Sequence, residues 1–579
     1  MTEIASPDVS AQASERLAAL AERIWQYRVS REPWLQMRRG IPVRTIRPDT
    51  LANAEEDAVF AAGALSELRR VGAAVESHDD VLTVEFLRED LNTTLAAPRT
   101  WWMRFGVTPY ASSGLGIYLQ IIFQAFSFGS PEDTDRYLAL MADYARLIDS
   151  MSDKVALQAQ RGWRVPKPAL PAVVGVLQGL KVAAARTFPV SSDRLATLAD
   201  TKRTQFADAV ARIWRTEVEP AFDSLIASLG PEYEREAPQG VGLSQFPGGE
   251  EAYRVLVREH VTFDIDPERI HVVGVAEVAR LSGEMRAIRS GLGFDGSEAS
   301  FSEHLRTSGR LHARSPRDVE DRYRHHIERM SAVVSRYFGK LPVAGYDVAP
   351  LDESMQATIS YGYYEPPTAA KPLGVYKYNG SGLDTRSQVS SAALIYHELV
   401  PGHHFHLALQ AENDALPMIR REALGITAFN EGWAEYASGL ALEMGLYDDP
   451  YDQYGRLAHQ RFIAQRLVVD TGLNLLGWSL ERAREYMKMY TLESPAQVAS
   501  ETLRYSTDMP GQALAYGLGY LKFRQLRERA EQALGSRFDL RSFHDALLPA
   551  GALPMTLLDR HVDWFVASHG SGTNARAAL

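Results

Sequence analysis

The chain has 579 residues, with 62 Lys and Arg against 73 Asp and Glu, for a net charge of −11. The acids are scattered rather than blocked, which argues against a nucleic acid or an anionic membrane as partner. There is no cysteine, so thiolate catalysis, iron–sulfur clusters, Cys-ligated zinc and disulfides are all excluded.

The length suits one large helical body or two packed halves. The segment Met1-Thr2-Glu3-Ile4-Ala5-Ser6 lacks the basic and apolar regions of a signal peptide. No stretch reaches the roughly 18 apolar residues of a membrane span. The longest apolar piece, Ile117 to Phe128, is interrupted by Gln120 and Gln124. These features predict a cytoplasmic protein.

Apolar residues three and four apart predict helices over Ser14–Arg28, Leu51–Val75 and Val81–Leu95. Ser130-Pro131-Glu132-Asp133 is an N-cap with Pro at the first helical position, opening a helix to about Ala159. Trp101-Trp102-Met103-Arg104-Phe105 reads as buried core. Further helices are predicted over Ser192–Ile226, Pro267–Ser290 and Pro316–Phe338, with a Gly-rich loop from Gly240 to Gly249. After Leu341 the period changes. Val343–Val348, Ala357–Tyr363 and Gly374–Tyr378 read as short strands between Pro and Gly. The domain reading is therefore a helical half at 1–340, a catalytic half at 341–570 and a disordered tail at 571–579, with one continuous domain as the alternative.

Next comes Tyr396-His397-Glu398-Leu399-Val400-Pro401-Gly402-His403-His404-Phe405-His406. Adjacent His397 and Glu398 match the start of the zinc-peptidase motif HExxH, in which the histidines bind metal and the glutamate is the general base. Pro401 stands where the second histidine belongs. At about 100° per residue, His397 and His403 are about 600° apart and off one face. His397 and His404 are about 700° apart, nearly in phase, but separated by about 10.5 Å of rise. Pro401 cannot donate to the carbonyl of His397, and Gly402 follows it. A kink or bulge is therefore expected, and it could return His403 toward His397. From spacing alone the second ligand is His403 or His404.

Phe429-Asn430-Glu431-Gly432-Trp433-Ala434-Glu435-Tyr436 opens a helix to about Met444, with Glu431 and Glu435 four apart and on one face. Tyr451–Leu476 and Ser479–Tyr490 read as core helices. Arg504-Tyr505 and Pro510-Gly511-Gln512-Ala513-Leu514-Ala515-Tyr516 follow.

The form HExxPGHH, with Glu431-Gly432-Trp433-Ala434-Glu435-Tyr436, Arg504-Tyr505 and Pro510–Tyr516, resembles the bacterial family called domain of unknown function 885. The metal motif is also similar to that of gluzincin-type peptidases. Oligopeptidases and angiotensin-converting enzyme have Gly directly before the second His, and dipeptidyl peptidase three has a motif one residue longer. By that likeness His403 is the second ligand. Glu431, 28 residues after His403, is the third. Glu435 and His404 sit behind the ligands, with Glu435 accepting the free N–H of a ligand imidazole. The likeness also implies a late-helix Tyr at the oxyanion, first Tyr516 and then Arg504, with Tyr505 and Tyr520 as substitutes. His544 in Ser542-Phe543-His544-Asp545 is read as a capping or core residue. An antiparallel sheet should border the cleft, with Val375-Tyr376-Lys377-Tyr378 as the edge that binds substrate backbone through Tyr376 and Lys377.

The expected fold is mainly α, a large helical ellipsoid with a deep cleft and a small antiparallel sheet beside the metal helix. The expected function is hydrolysis of short peptides or peptide-like amides by metal-activated water. One zinc ion would be held by His397, His403 and Glu431, though this donor set also suits manganese, iron or cobalt. Glu398 would be the base. Two alternatives are hydrolysis, elimination or cyclisation of a small metabolite on the same scaffold, and a binding protein with a degenerate metal helix.

Overall fold

The computed structural model describes residues 7–109, 113–130, 132–353, 356, 361–368, 371–383 and 387–570. The fold is mainly α-helical with one three-stranded sheet. Helices α1 (Pro7–Val29), α2 (Leu51–Gly72) and α3 (His78–Thr100) begin the chain. Thr50 and Ser77 cap α2 and α3 by accepting from the N–H of Asn53 and Asp80, which satisfies first-turn donors that have no partner within the helix. Helix α4 (Glu132–Gln160) follows. Pro131 lies outside the described residues. The Asp133 carboxylate accepts from the N–H of Gly129 at 2.8 Å and of Ser130 at 2.7 Å.

Helix α5 (Leu170–Thr187) was not expected. Lys167–Thr187 has a mean hydropathy of 1.4, apolar and long enough by composition alone to cross a membrane, contrary to the expectation that no stretch is. Val173, Leu177 and Ala184 of α5 are buried in the core that contains Tyr137 and Tyr144 of α4. The single helix expected over 192–226 is instead Ser192–Leu195, Asp200–Ile213 and Glu219–Ser228, with a wide π turn at Trp214–Val218. Pro220 has no N–H to give the preceding turn, so the ladder must break there. Helix α6 is Pro267–Gly291.

Strands β1 (Tyr346–Pro350), β2 (Gly362–Glu365) and β3 (Gly374–Tyr378) form a sheet in the order β1-β3-β2. β1 is parallel to β3, with Tyr346 opposite Gly374, and β2 is antiparallel to it, with Gly362 opposite Tyr378. The sheet is therefore mixed, not antiparallel. Residues 357–360 of the expected second strand lie outside the described residues. β3 is the central strand, so the edge role expected of Tyr376 and Lys377 is excluded: their backbone already pairs on both sides. Tyr376 is fully buried, with its ring edge-on to Tyr323. The free edges belong to β1 and β2.

Helices α7 (Ser391–Glu398), α8 (His403–Glu412), α9 (Thr427–Leu440), α10 (Pro450–Asn474), α11 (Pro495–Leu503) and α12 (Leu514–Leu534) build the site. α9 and α12 approach at Gly432 and Gly519, where a methyl on Gly432 would lie 2.5 Å from the Gly519 backbone. α6 and α10 approach at Gly274, where a methyl would lie 2.7 Å from Leu467. The core does not divide at residue 340. One cluster joins Leu17, Leu65 and Leu87 to Phe405, Trp433, Phe523 and Phe565, and a second joins Tyr144 and Phe222 to Leu467, Leu514 and Leu518. The tail at 571–579 lies outside the described residues.

Candidate metal centre

The Pro-Gly insertion splits the expected metal helix in two. α7 stops at Glu398, residues 399–402 turn, and α8 begins at His403. Pro401 supplies no N–H to continue α7, and its carbonyl accepts from Trp433 Nε1 at 3.0 Å. Gly402 folds back on the helix end so tightly that a methyl there would lie 1.8 Å from the His397 carbonyl oxygen and 2.6 Å from that of Tyr396. This turn brings the His397 and His403 rings to 4.7 Å between centroids, edge to face. Gly402→Ala must push the two backbones apart. It should cost at least the roughly 1–3 kcal/mol of an overpacked site and separate the two rings. Calorimetric melting and metal content of the purified variant check this; an unchanged metal stoichiometry contradicts it.

Glu431, in the first turn and a half of α9, faces both rings. Its Oε2 is 3.5 Å from His397 Nε2 and 3.4 Å from His403 Nε2. The three ligand atoms lie within 4.8 Å of one another. Tetrahedral zinc with bonds of about 2.0–2.1 Å separates its ligands by about 3.3 Å, so the spacing fits. The charges fit too. Among the described residues Glu431 pairs with no Arg or Lys. Burial would raise its pKa, but the two imidazoles hold it far below the usual carboxylate range. Burial would lower the pKa of His397, yet Glu431 and Glu435 push it up to about 10. The Glu431 and Glu435 carboxylates thus favour positive charge at this cluster.

Behind His397, Glu435 is 1 % exposed and fully engaged. Its Oε1 lies 2.7 Å from His397 Nδ1, a close but bent approach, and accepts from His459 Nε2 at 2.8 Å. Its Oε2 accepts from Arg456 Nη1 at 2.8 Å, and Arg456 Nη2 donates to the Glu435 carbonyl at 3.0 Å. A carboxylate on Nδ1 keeps the hydrogen there and leaves Nε2 free to coordinate. His397, Glu435 and His459 also cluster closely enough to suggest a metal. That cluster already contains a cation in Arg456, so the His397–His403–Glu431 set is the better site.

His404 does not join the centre. It is fully buried, its Nδ1 accepts from Tyr364 OH at 2.9 Å, and its Nε2 donates to the Ala344 carbonyl at 3.0 Å. It ties α8 to the sheet, and the expectation that it sits behind the metal is corrected. Gly374 makes room, since a methyl there would lie 2.5 Å from both His404 Nδ1 and Tyr364 OH. His406 is spent on Gln410 Oε1 at 3.1 Å. His544 is a core residue, bonded to Tyr436 OH at 3.0 Å and to the Tyr337 carbonyl at 2.9 Å.

Glu398, the last residue of α7, is half-buried and makes no hydrogen bond or ion pair among the described residues. Burial raises its pKa, while His397 and His403 beside it pull the other way. The hydroxyls of Tyr364 and Tyr376 sense its charge. The Glu398 carboxylate is thus left free to accept a hydrogen bond.

The α9–α12 contact at Gly432 and Gly519 carries Tyr516 to the Glu431 side. Burial raises the pKa of its hydroxyl, as does the Glu431 charge, while Arg466 and Arg504 oppose the shift. Arg504 is less available than expected: Nη1 donates to Gln512 Oε1 at 2.7 Å and Nη2 to Glu501 Oε2 at 2.9 Å. Tyr505 cannot substitute, because its hydroxyl is buried against Glu501 Oε2. Tyr520 lies instead along a separate cavity of about 620 Å³ that Arg456 and Arg524 also line.

A family model described as "Bacterial protein of unknown function (DUF885)" matches residues 33–562. The chain belongs to the DUF885 family. A protein of Colwellia psychrerythraea described as a "putative lipoprotein" has the same fold, with a TM-score of 0.84 at 24% identity over 96% of this chain and 99% of that one. Another, described as a "putative lipoprotein of unknown function" from Shewanella oneidensis, has a TM-score of 0.72 at 18% identity over 95% and 99%. No curated protein matches the chain.

Within this DUF885 chain, the residues around the candidate site that sequence reading missed lie mostly on α10, which was read as core. Arg456, His459, Arg466 and Asp470 are at intervals of three, seven and four. At about 100° per residue they fall within an arc of about 80°. The shared face was the available signal, but Gln460, Arg461 and Gln465 make the same helix polar elsewhere as well, so the face did not stand out.

Proposed function

We propose that this protein is a metal-dependent hydrolase of short peptides or peptide-like amides. One observation carries the reading: two imidazoles and a carboxylate with no neutralising Arg or Lys converge at ligand spacing, beside the unpaired carboxylate of Glu398. The likeness of the motif to gluzincin-type peptidases supports it. His397, His403 and Glu431 would hold the ion, zinc by preference, with manganese, iron or cobalt compatible with the same donors. When bound, it supplies Lewis acidity to a water and a carbonyl.

The chain's own residues do the rest. Glu398 takes a proton from the attacking water and returns it to the leaving amine. Glu435, fixed by Arg456 and His459, keeps His397 in one tautomer and orientation. Tyr516 donates its hydroxyl hydrogen to the oxygen of the collapsing carbonyl. With its pKa raised by burial it stays protonated at neutral pH. Tyr516→Phe should therefore lower kcat by roughly 10²–10³, about 2.7–4 kcal/mol, with substrate affinity and melting temperature nearly unchanged. Equal turnover in the two proteins would remove Tyr516 from the reaction.

The reading itself is tested by elemental analysis of the purified protein and by a dipeptide library with mass detection, using zinc-loaded protein. A protein that binds no stoichiometric metal, or that binds it and cleaves nothing in the library, contradicts it.

A further inference from the structure

Next to Tyr516 lies a charge imbalance that the hydrolase reading does not use. Arg466 and Arg504 share one carboxylate, Glu501. Glu501 Oε2 accepts from Arg504 at 2.9 Å and from the Tyr505 hydroxyl, and lies 3.4 Å from Arg466 Nη2. Its Oε1 accepts from Gln497 at 3.2 Å. Arg504 is the better-satisfied arginine, through Glu501 and Gln512. The hydrogen bonds of Arg466 are the long contact to Glu501 and one from Nε to Tyr505 OH at 3.0 Å, and its guanidinium also lies over the Phe462 ring, 4.8 Å from the centroid; its Nη1 has no hydrogen-bond partner among the described residues. Asp470, one turn beyond Arg466 on α10, points elsewhere. It accepts from Tyr253 OH at 2.7 Å and from the Gly511 N–H at 3.0 and 3.1 Å, and burial favours its neutral form.

The under-used guanidinium lies over the Tyr516 ring, 4.4 Å from its centroid, and its side chain keeps 12 % of its surface exposed. Arg466 is seven residues beyond His459 on the same face of α10, a rise of about 10.5 Å. His459 marks the metal end of that face through Glu435. One or two extended residues, at about 3.3–3.6 Å each, together with the reach of an arginine, span this interval. A planar guanidinium with an open donor edge is suited to bind a carboxylate.

We propose that Arg466 binds a carboxylate of the substrate, so that the site takes short acids whose negative group lies one or two residues beyond the bond that breaks. This deepens the hydrolase reading and rests on it for the identity of the bond. The carboxylate could be the end of a peptide or an Asp or Glu side chain, and the test separates the two.

The probes are acetyl-alanyl-alanine, its C-terminal amide, and acetyl-alanyl-aspartic acid blocked as the amide at its C terminus. Binding to the zinc-loaded full chain is measured by calorimetry alongside turnover, for wild type, Arg466→Gln and Arg466→Lys, with melting temperatures for each. In wild type, at least one carboxylate-bearing probe should bind roughly ten- to a hundred-fold more tightly than the uncharged amide, the range for a hydrogen bond to a charged group. A preference for the free acid assigns the chain terminus, and a preference for the aspartyl amide assigns a side chain. In Arg466→Gln the preference should fall to near one, and Arg466→Lys should keep part of it, whatever either does to the melting temperature. A purely structural Arg466 would lower stability and leave the acid-to-amide ratio intact. That ratio persisting in Arg466→Gln overturns the proposal, as does equal binding of acid and amide by wild type or no binding of any probe. Carboxylate-dependent binding with no turnover would instead contradict the hydrolase reading and leave the Arg466 site standing.

Discussion

Glu398→Gln should keep the metal and the fold while losing roughly 10²–10⁴ in turnover, the contribution of a positioned general acid–base group. The amide is nearly isosteric but cannot accept a proton from water. The prediction is sharp because the Glu398 carboxylate bonds to nothing among the described residues, so exchanging it breaks no structural contact. It is also half-buried, with burial already raising its pKa, so removing the charge should leave stability equal or slightly higher. Metal content, melting temperature and single-turnover rate together decide the outcome. A variant that loses its metal would make Glu398 a ligand and the proposed mechanism wrong.

The second large effect is loss of the ion itself. His397→Ala, His403→Ala and Glu431→Ala each remove one of three donors and should purify without stoichiometric metal. His404→Ala should keep it, because both ring nitrogens are committed to Tyr364 and Ala344. Its cost should appear as lost stability where α8 meets the sheet. Glu435→Gln should fall between, weakening metal affinity by about 10–100-fold, as loss of a ligand's orienting partner does. Chelation separates these classes. A ligand present at about 100 times its Kd adds about 2.7 kcal/mol to the folded state. A chelator should therefore lower the melting temperature of wild type and of His404→Ala and leave that of Glu431→Ala unchanged. A metal-free His404→Ala beside a metal-loaded His403→Ala would reverse the assignment.

Much of the site was legible because its residues are close in sequence. His397, Glu398 and His403 fall within seven positions, and Glu431 follows on a helix whose start and face the sequence marks. Pro401 announced a break, since a residue without an N–H cannot continue a helix. The mainly helical class was legible for the same reason: the apolar period is local. The sequence alone could not choose between His403 and His404, as periodicity favours the in-phase residue. The turn at Gly402 resets the helix so that His403 faces His397, while a neighbouring tyrosine and a backbone carbonyl occupy both nitrogens of His404.

What only the tertiary structure decided is everything that depends on which distant elements touch. The strand order places β3 in the middle and removes Tyr376 and Lys377 from any edge. Strand order is set by pairing across the sheet, which a strand's own alternation does not encode. The Arg456–His459–Glu435 network joins α10 to α9, and the Arg466–Glu501–Arg504 network joins α10 to α11 and the turn after it. The α10 members, Arg456, His459 and Arg466, look in sequence like ordinary residues on a core helix. Their meaning comes from the carboxylates that offset their desolvation, and those lie 21 to 35 residues away. The core has the same character. Leu17 and Phe565 share one cluster, so the expected boundary at residue 340 has no counterpart in the packing. Burial of apolar surface is non-directional, and it joins whichever faces the chain brings together.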